Sequence, residues 1–414
     1  MTHRLFQGYN KSAVKKDQNF SDLPDLSSNV PHQVRVTSEM HEPGQLGKIL
    51  RGEVPGHFYS RYGNPNADEL ERLLVQAEAH HAREHIAACT FPSGMAAIAA
   101  VINVLARGEK GRRFVRGDPV YFGSKDMLNP AIGLPENLES TLVIDTTNHA
   151  KVEKTLKEHE GEVIALFFET VTNPTGAYTD IRAVAEIAKA HDVLTIVDNT
   201  FLTPALLRPL QMGADIVAHS LTKYIAGHGR KLGGAVIGYK GFVNGENGVR
   251  EYRARESAPI DSFSAHEIAQ GMIGLSTRME RHSINAQRVA EEMRKHPKVE
   301  TVYYPENEVQ NQTRKGYAGG VVSIVLSGIN DDEKIAADRR MIDHICRNAA
   351  NIHYKVSLGE PETLVIGEYS LGVPEATLRA ANIPPGLIRI AVGREKNIGN
   401  TIAQIKEAID AAYK

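Results

Sequence analysis

The sequence predicts an α/β fold with a mainly parallel sheet and a smaller carboxyl-terminal α/β unit, and three observations predict it. From about Asn66 to about residue 240, short apolar runs rich in β-branched residues alternate with helical segments, as in sheets whose strands are joined by covering helices. Several of those runs end in polar residues, and the carboxyl ends of strands are where ligands collect in open α/β sheets. Beyond Ser264 a long helical stretch gives way to a second set of strands and helices.

Taken in order, residues 1–65 are polar, proline-interrupted and weakly periodic, so they are expected to form an arm that contacts a neighbouring subunit. Residues 66–263 are expected to form the large domain. Its opening helices are "ADELERLLVQAEAHH" and "SGMAAIAAVINVLARG". Its expected strands are "PVYF", "STLVID", "VIALFFET", "VLTIVD", "DIVAHS" and "GGAVIGY", with "IRAVAEIAKAH" as a connecting helix. Residues 264–414 form the expected small domain. It starts with the helical run "SAHEIAQGMIGLSTRMERHSINAQRVAEEMRKH", continues through strands "VETVYY", "GGVVSIVLSG", "ETLVIG" and "LIRIAVG", and ends in the helix "TIAQIKEAIDAAYK".

Composition narrows the function classes. With 414 residues, 42% of them hydrophobic, the chain is long enough for a large core, and its formal charge of −2 offers no basic surface for nucleic acid. The first twenty residues lack the apolar core of a signal peptide and no apolar run is long enough to span a bilayer, so a soluble, cytoplasmic protein without membrane partners is expected. Cys89 and Cys346 stand far apart in apolar or helical surroundings, which suggests two buried thiols and neither a disulfide framework nor a thiolate metal site. His81 and His85 in "HHAREH" lie one helical turn apart without a metalloprotease glutamate or third ligand, so no metal is expected.

The chemistry concentrates in "IVAHSLTKYIAGHGRKLGG", an apolar run ending in Ser220, Thr222 and Lys223 before a loop with Arg230 and Lys231. Other strand ends offer Asp198 in "LTIVDNT", Glu169 with Asn173 in "LFFETVTNP", and Tyr121 in "PVYFGS". An aspartate and a lysine at neighbouring strand ends are the parts needed for pyridoxal phosphate (PLP): the amine forms a Schiff base and the carboxylate keeps the ring nitrogen protonated. In "FPSGMAAIAAV" a helix begins at Ser93-Gly94-Met95, where backbone N–H groups are turned toward an anion. Ser220 and Thr222 add hydroxyl donors for the same phosphate.

The motifs "YSRYGNPNADELE", "SGMAAI", "VYFGS", "ETVTNPTG", "IVDNTF", "AHSLTKYIAGH", "TRMERHSINA", "VSLGEPETL" and "LIRIAVGRE" occur in that order. With them the sequence resembles the pyridoxal-phosphate family of cysteine and methionine metabolism, which includes cystathionine γ-synthase, cystathionine lyases and methionine γ-lyase. The resemblance implies a type I PLP-dependent, aspartate-aminotransferase-like fold and a homotetramer built as a dimer of dimers with shared active sites. It implies that Lys223 is the Schiff-base lysine, that Asp198 pairs with the pyridinium and that Tyr121 stacks on the ring and serves in catalysis. Gly94, Met95, Ser220 and Thr222 would hold the phosphate, with Tyr59 and Arg61 arriving from the neighbouring subunit. Asn173 would lie near the ring hydroxyl supported by Glu169, and Asn173, Ser357 and Arg389 would meet the substrate, Arg389 gripping its α-carboxylate.

The implied reaction is elimination at Cγ of an amino acid, within sulfur amino-acid metabolism. The alternatives are γ-replacement on an activated homoserine, β-elimination, and a PLP-binding scaffold without turnover. Four departures from the family pattern stand out. Arg230 occupies the place of an aspartate, Phe122 that of a glycine, and Gly123 that of a reactive cysteine in methionine γ-lyases. The run "IGEYSLGVPEATLRAANIPPG" replaces a stretch of small residues, methionine, threonine and histidine. Val356, in turn, stands where cystathionine-processing members carry glutamate.

Overall fold

The structure is a computed structural model and describes residues 23, 26, 30–33, 35–51, 53–79, 84–108, 111–309 and 311–414. His81 and the first 22 residues of the amino-terminal arm lie outside them. The larger sheet contains β1 (Ile86–Phe91), β2 (Arg113–Gly117), β3 (Ser140–Ile144), β4 (Val163–Glu169), β5 (Leu194–Asp198), β6 (Ile216–Ser220) and β7 (Gly234–Tyr239). These seven strands run in the order β1-β7-β6-β5-β4-β2-β3. Strands β3, β2, β4, β5 and β6 are mutually parallel, and β7 is antiparallel to both β6 and β1.

Successive residues of one strand feed two separate cores. Leu166, Phe168, Val197 and Val217 point into one, while Phe167, Ile196, Ile216 and Ala218 point into the other. A sheet covered on both faces needs apolar residues at every position, which is why β4 reads as an unbroken hydrophobic run. Helix α1 (Pro65–Ala79) covers the first face with Leu70, Leu73 and Leu74, and α2 (Gly94–Ala106) covers the second with Ile98, Val101 and Leu105.

Two expectations needed correction. "PVYF" is no strand: β2 is the preceding "RFVRG", and Tyr121 caps a short helix over Phe122–Met127. The long helical run is two helices, Ser262–Met272 and α3 (Leu275–Arg294), parted at Gly274, whose φ of 69° is open to glycine without strain. Strand β1 was not anticipated.

The second sheet contains β8 (Val299–Tyr303), β9 (Val321–Leu326), β10 (Ile352–Tyr354), β11 (Thr363–Gly367) and β12 (Leu387–Ala391), in the order β10-β11-β12-β9-β8. Helices α4 (Asp331–Asn348) and α5 (Ile398–Ala411) bury their apolar faces on this side. Among the described residues no helix is long and apolar enough to cross a membrane. Cys89 is buried as expected, but Cys346 is exposed on α4, because its position falls on the outer face of that helix.

Candidate active site

Adjacent parallel strands bring their carboxyl ends to one edge. Glu169 of β4 pairs in register with Asp198 of β5, and Asp198 with Ala218 of β6, so Ser220 emerges just beyond them. Thr200 ties this edge together: its hydroxyl donates to Asp198 Oδ1 at 2.5 Å and accepts from the Ser220 N–H at 2.8 Å. Glu169 is fully committed, accepting backbone N–H groups of Tyr121 at 2.6 Å and Asn173 at 2.9 Å.

Helix α2 starts against the same edge. The Ser93 hydroxyl caps it by accepting from Ala96 N–H at 3.1 Å, which leaves the Gly94 and Met95 N–H groups without an intrahelical acceptor. A Cβ on Gly94 would lie 2.8 Å from the Ser220 Cβ. Only glycine lets the helix start approach the Ser220 strand end this closely.

The second sheet closes the site. Lys223 Nζ donates to Ser357 Oγ at 2.8 Å, and Ser357 holds a φ of 95°, a strained backbone for a residue with a side chain. Arg389 of β12 donates through Nη1 to Asn173 Oδ1 at 2.9 Å and through Nη2 to the Ser357 carbonyl at 3.0 Å. Its buried Nε has no acceptor among the described residues. Together these groups line a cavity of about 410 Å³ with Gly94, Met95, Tyr121, Glu169, Asp198 and Thr222.

Burial governs the charges here. It lowers the Lys223 pKa to about 8, with the Arg389 charge adding to the effect. Burial also raises the carboxyl groups of Asp198 and Glu169, and the nearness of Asp198 raises Glu169 further. The Tyr121 hydroxyl is likewise pushed up by burial.

A family model described as Cys/Met metabolism PLP-dependent enzyme matches residues 15–410. The chain belongs to that family. It is a PLP-dependent enzyme. It is 34% identical over 382 residues to the L-methionine gamma-lyase of Porphyromonas gingivalis, covering 89% of this chain and 88% of that one. It is 33% identical over 350 residues to the cystathionine gamma-lyase of Bacillus subtilis, covering 83% and 86%. The cystathionine gamma synthase of Xanthomonas oryzae pv. oryzae, solved in complex with cystathionine, superposes with a TM-score of 0.78 at 27% identity, over 92% of this chain and 93% of that one.

The cavity's donor set suits PLP: a helix start and two hydroxyls for a dianion, a buried carboxyl for a ring nitrogen, and an amine with a depressed pKa for an aldehyde. We expect Gly94→Ala to weaken PLP retention at least roughly tenfold, a loss of about 1.4 kcal/mol, read as the dissociation constant in an absorbance titration. Retention equal to the parent's would remove this helix start from the cradle. Capture of PLP by the apoprotein should accelerate as pH rises and level off near 8, because the Lys223 amine is protonated below that value and nucleophilic above it. An acceleration continuing toward pH 10 in stopped-flow absorbance would show an ordinary, solvated lysine.

Tyr59 and Arg61 are the expected site residues that do not line this cavity. Tyr59 is exposed, and the Arg61 guanidinium lies 4.4 Å from the Tyr62 ring centroid. Arg230 is exposed and also lies off the cavity wall, whereas Leu232 of the same loop lines it. Phe122 is exposed with its ring 4.5 Å from that of Tyr121, and a Cβ on Gly123 would come within 2.8 Å of Tyr121 and 2.9 Å of the Met95 sulfur. A cysteine at 123 would require the Tyr121 and Met95 side chains to shift.

Sequence reasoning missed two residues. Thr200 was signalled only by a hydroxyl two places past a strand-end aspartate, and Glu368 only by the departure of its segment from the family pattern. Among the described residues no group of three or more His, Cys, Asp or Glu is placed to hold a metal ion.

Proposed function

We propose that the enzyme eliminates a substituent from Cγ of an amino acid of the sulfur class, releasing a 2-oxo acid and ammonia. The observation that carries this reading is the charge inventory of the cavity wall. Lys223 and Arg389 are its cations among the described residues, and the outer wall is formed by Phe122, Leu232, Val356 and Leu371. One guanidinium suffices for the α-carboxylate of one amino acid, and no second cation is provided for the carboxylate of an incoming amino-acid nucleophile. The names of the gamma-lyase relatives support the same reading.

PLP, when bound, withdraws electrons from Cα and Cβ of the attached amino acid. In this reading Arg389 grips the α-carboxylate, and Asn173 and the Ser357 carbonyl orient its guanidinium. Lys223 Nζ would take the proton from Cα, give that proton up, and, neutral again, take one from Cβ, with Ser357 Oγ accepting a hydrogen bond from the amine between transfers. The Tyr121 hydroxyl, kept protonated by burial, delivers a proton to the group departing from Cγ. Gly94, Met95, Ser220 and Thr222 would hold the phosphate, and Asp198, oriented by Thr200, would keep the ring nitrogen protonated. Asn173, whose backbone N–H donates to Glu169, would serve the ring hydroxyl.

γ-Replacement is the second reading, favoured by the structural likeness to a cystathionine gamma synthase. Incubating the enzyme with γ-substituted amino acids, with and without an added thiol, separates the two. Elimination yields 2-oxo acid in both cases, whereas a thioether formed in place of 2-oxo acid when thiol is present would overturn it.

The same proposal includes a homotetramer, a dimer of dimers, in which Tyr59 and Arg61 complete the phosphate site of the adjacent subunit. It also includes a cytoplasmic setting, supported by two thiols without a disulfide. The absence of Tyr59 and Arg61 from the cavity wall of their own chain supports the shared sites. Mixed oligomers of Arg61→Ala and Lys223→Ala subunits are expected to regain about a quarter to a half of parental activity, since hybrid pairs contain one intact site. No recovery after proven subunit exchange would refute shared sites.

A further inference from the structure

Glu368 is the acid on the cavity wall that the reaction proposed above leaves unused. It opens a one-turn 3-10 helix, Glu368–Ser370, directly after β11. Ile366 of β11 stands opposite Arg389 in the sheet, and Ile366, Glu368 and Arg389 all line the cavity. Glu368 thus extends the cavity-facing row of the second sheet by one step beyond Arg389.

The turn that carries it is held from several sides. The Tyr369 hydroxyl donates to the Ile383 carbonyl at 2.9 Å, and the Tyr354 hydroxyl donates to the Ser370 carbonyl at 3.1 Å. Gly367 packs on the buried Asp338 carboxylate so closely that any Cβ would overlap it. The backbone is fixed, yet among the described residues the Glu368 carboxylate makes no hydrogen bond and no ion pair.

The other acids of the wall differ in this respect. Glu169 accepts two backbone N–H groups, and Asp198 is bonded by Thr200. No hydrogen bond or ion pair joins Glu368 to Arg389, whose two Nη donors serve Asn173 and the Ser357 carbonyl, so the two opposite charges favour one another only through space. Beside Glu368 the wall continues with apolar Leu371 and Val356. A carboxylate on a rigid turn at the edge of an apolar wall is a built receptor for one charge of opposite sign.

We propose that Glu368 is a specificity-determining residue that receives a protonated amine at the far end of the substrate's side chain. This assignment rests on the reading of the cavity as an amino-acid site. Burial raises the Glu368 carboxyl while Arg389 lowers it, so an arriving ammonium finds a group whose ionised form it stabilises further. Substrates with a neutral side-chain end gain nothing from Glu368, and those with an anionic end are repelled by it.

The test uses the holoenzyme and amino acids that lack a leaving group. Ornithine and lysine present an ammonium at two lengths, norleucine is the neutral match of ornithine, and 2-aminoadipate is anionic. Binding is read from the change in visible absorption of the cofactor, without turnover. In Glu368→Gln the dissociation constants of ornithine, lysine or both should rise at least about tenfold, while that of norleucine stays within about threefold, which also shows the variant to be folded. Glu368→Lys should reverse the order of lysine and 2-aminoadipate. Cationic affinities that do not depend on Glu368, or that fall in step with norleucine, overturn the assignment and leave the proposed reaction standing. If none of the four perturbs the parental absorption, the amino-acid site itself is refuted and the assignment falls with it.

Discussion

Lys223→Ala is expected to abolish the covalent cofactor absorbance and to lower turnover at least roughly 10³-fold, the scale of a lost acid–base group. The Lys223 amine is held by Ser357 Oγ and kept near pKa 8 by burial, so it is pre-positioned and available in its neutral form close to physiological pH. The described residues that line the cavity include no other lysine, and the guanidinium of Arg389 remains protonated, so no neighbour replaces the amine. Absorbance spectra of the purified variant with added PLP, and 2-oxo acid release, check both parts. A variant that retains the absorbance would place the cofactor on another amine.

Arg389→Ala is expected to lower kcat/KM by roughly 10²- to 10³-fold, equivalent to about 3–4 kcal/mol, the cost of truncating one partner of a buried, hydrogen-bonded charge pair. The expected loss has two parts: in the proposed reading the α-carboxylate loses its fork, and Asn173 Oδ1 and the Ser357 carbonyl lose their donors. Arg389→Lys keeps the charge but not two donors in one plane, so it should recover less than about a tenth of the parental kcat/KM. Steady-state kinetics on the best γ-substituted amino acid decide it. A lysine variant with parental kcat/KM would reduce Arg389 to a point charge.

Much of the fold was legible because local pattern and burial agreed. Five of the strands in the larger sheet carry the apolar, β-branched runs that a doubly covered sheet demands. Strand β2 escaped because it contains Arg113 and Arg116, whose charges are answered by Glu139, Glu162 and Asp118. Those partners come from other segments or from beyond the strand end, so hydropathy along the chain mistook the next run, "PVYF", for the strand. Strand β1, "IAACTF", follows one helix and precedes another, and its alanines fit helix as well as strand.

The identity of the reactive groups was a matter of sequence: a lysine, an aspartate, two hydroxyls and a glycine-opened helix announce themselves by type and by position at strand ends. Their partnerships were not. Lys223 meets Ser357 across 134 positions and Arg389 meets Asn173 across 216, and such distances along the chain leave no periodic trace. Only the packing of the second sheet on the first decides which donor finds which acceptor, and it left Glu368 facing the cavity with no acceptor's work to do. Arg230, a departure from the family pattern in sequence, is exposed and lies off the cavity wall. Side-chain type and strand order set what chemistry is available to this chain; the closure of one sheet over the other, driven by burial of apolar area between them, decides which groups share the cavity.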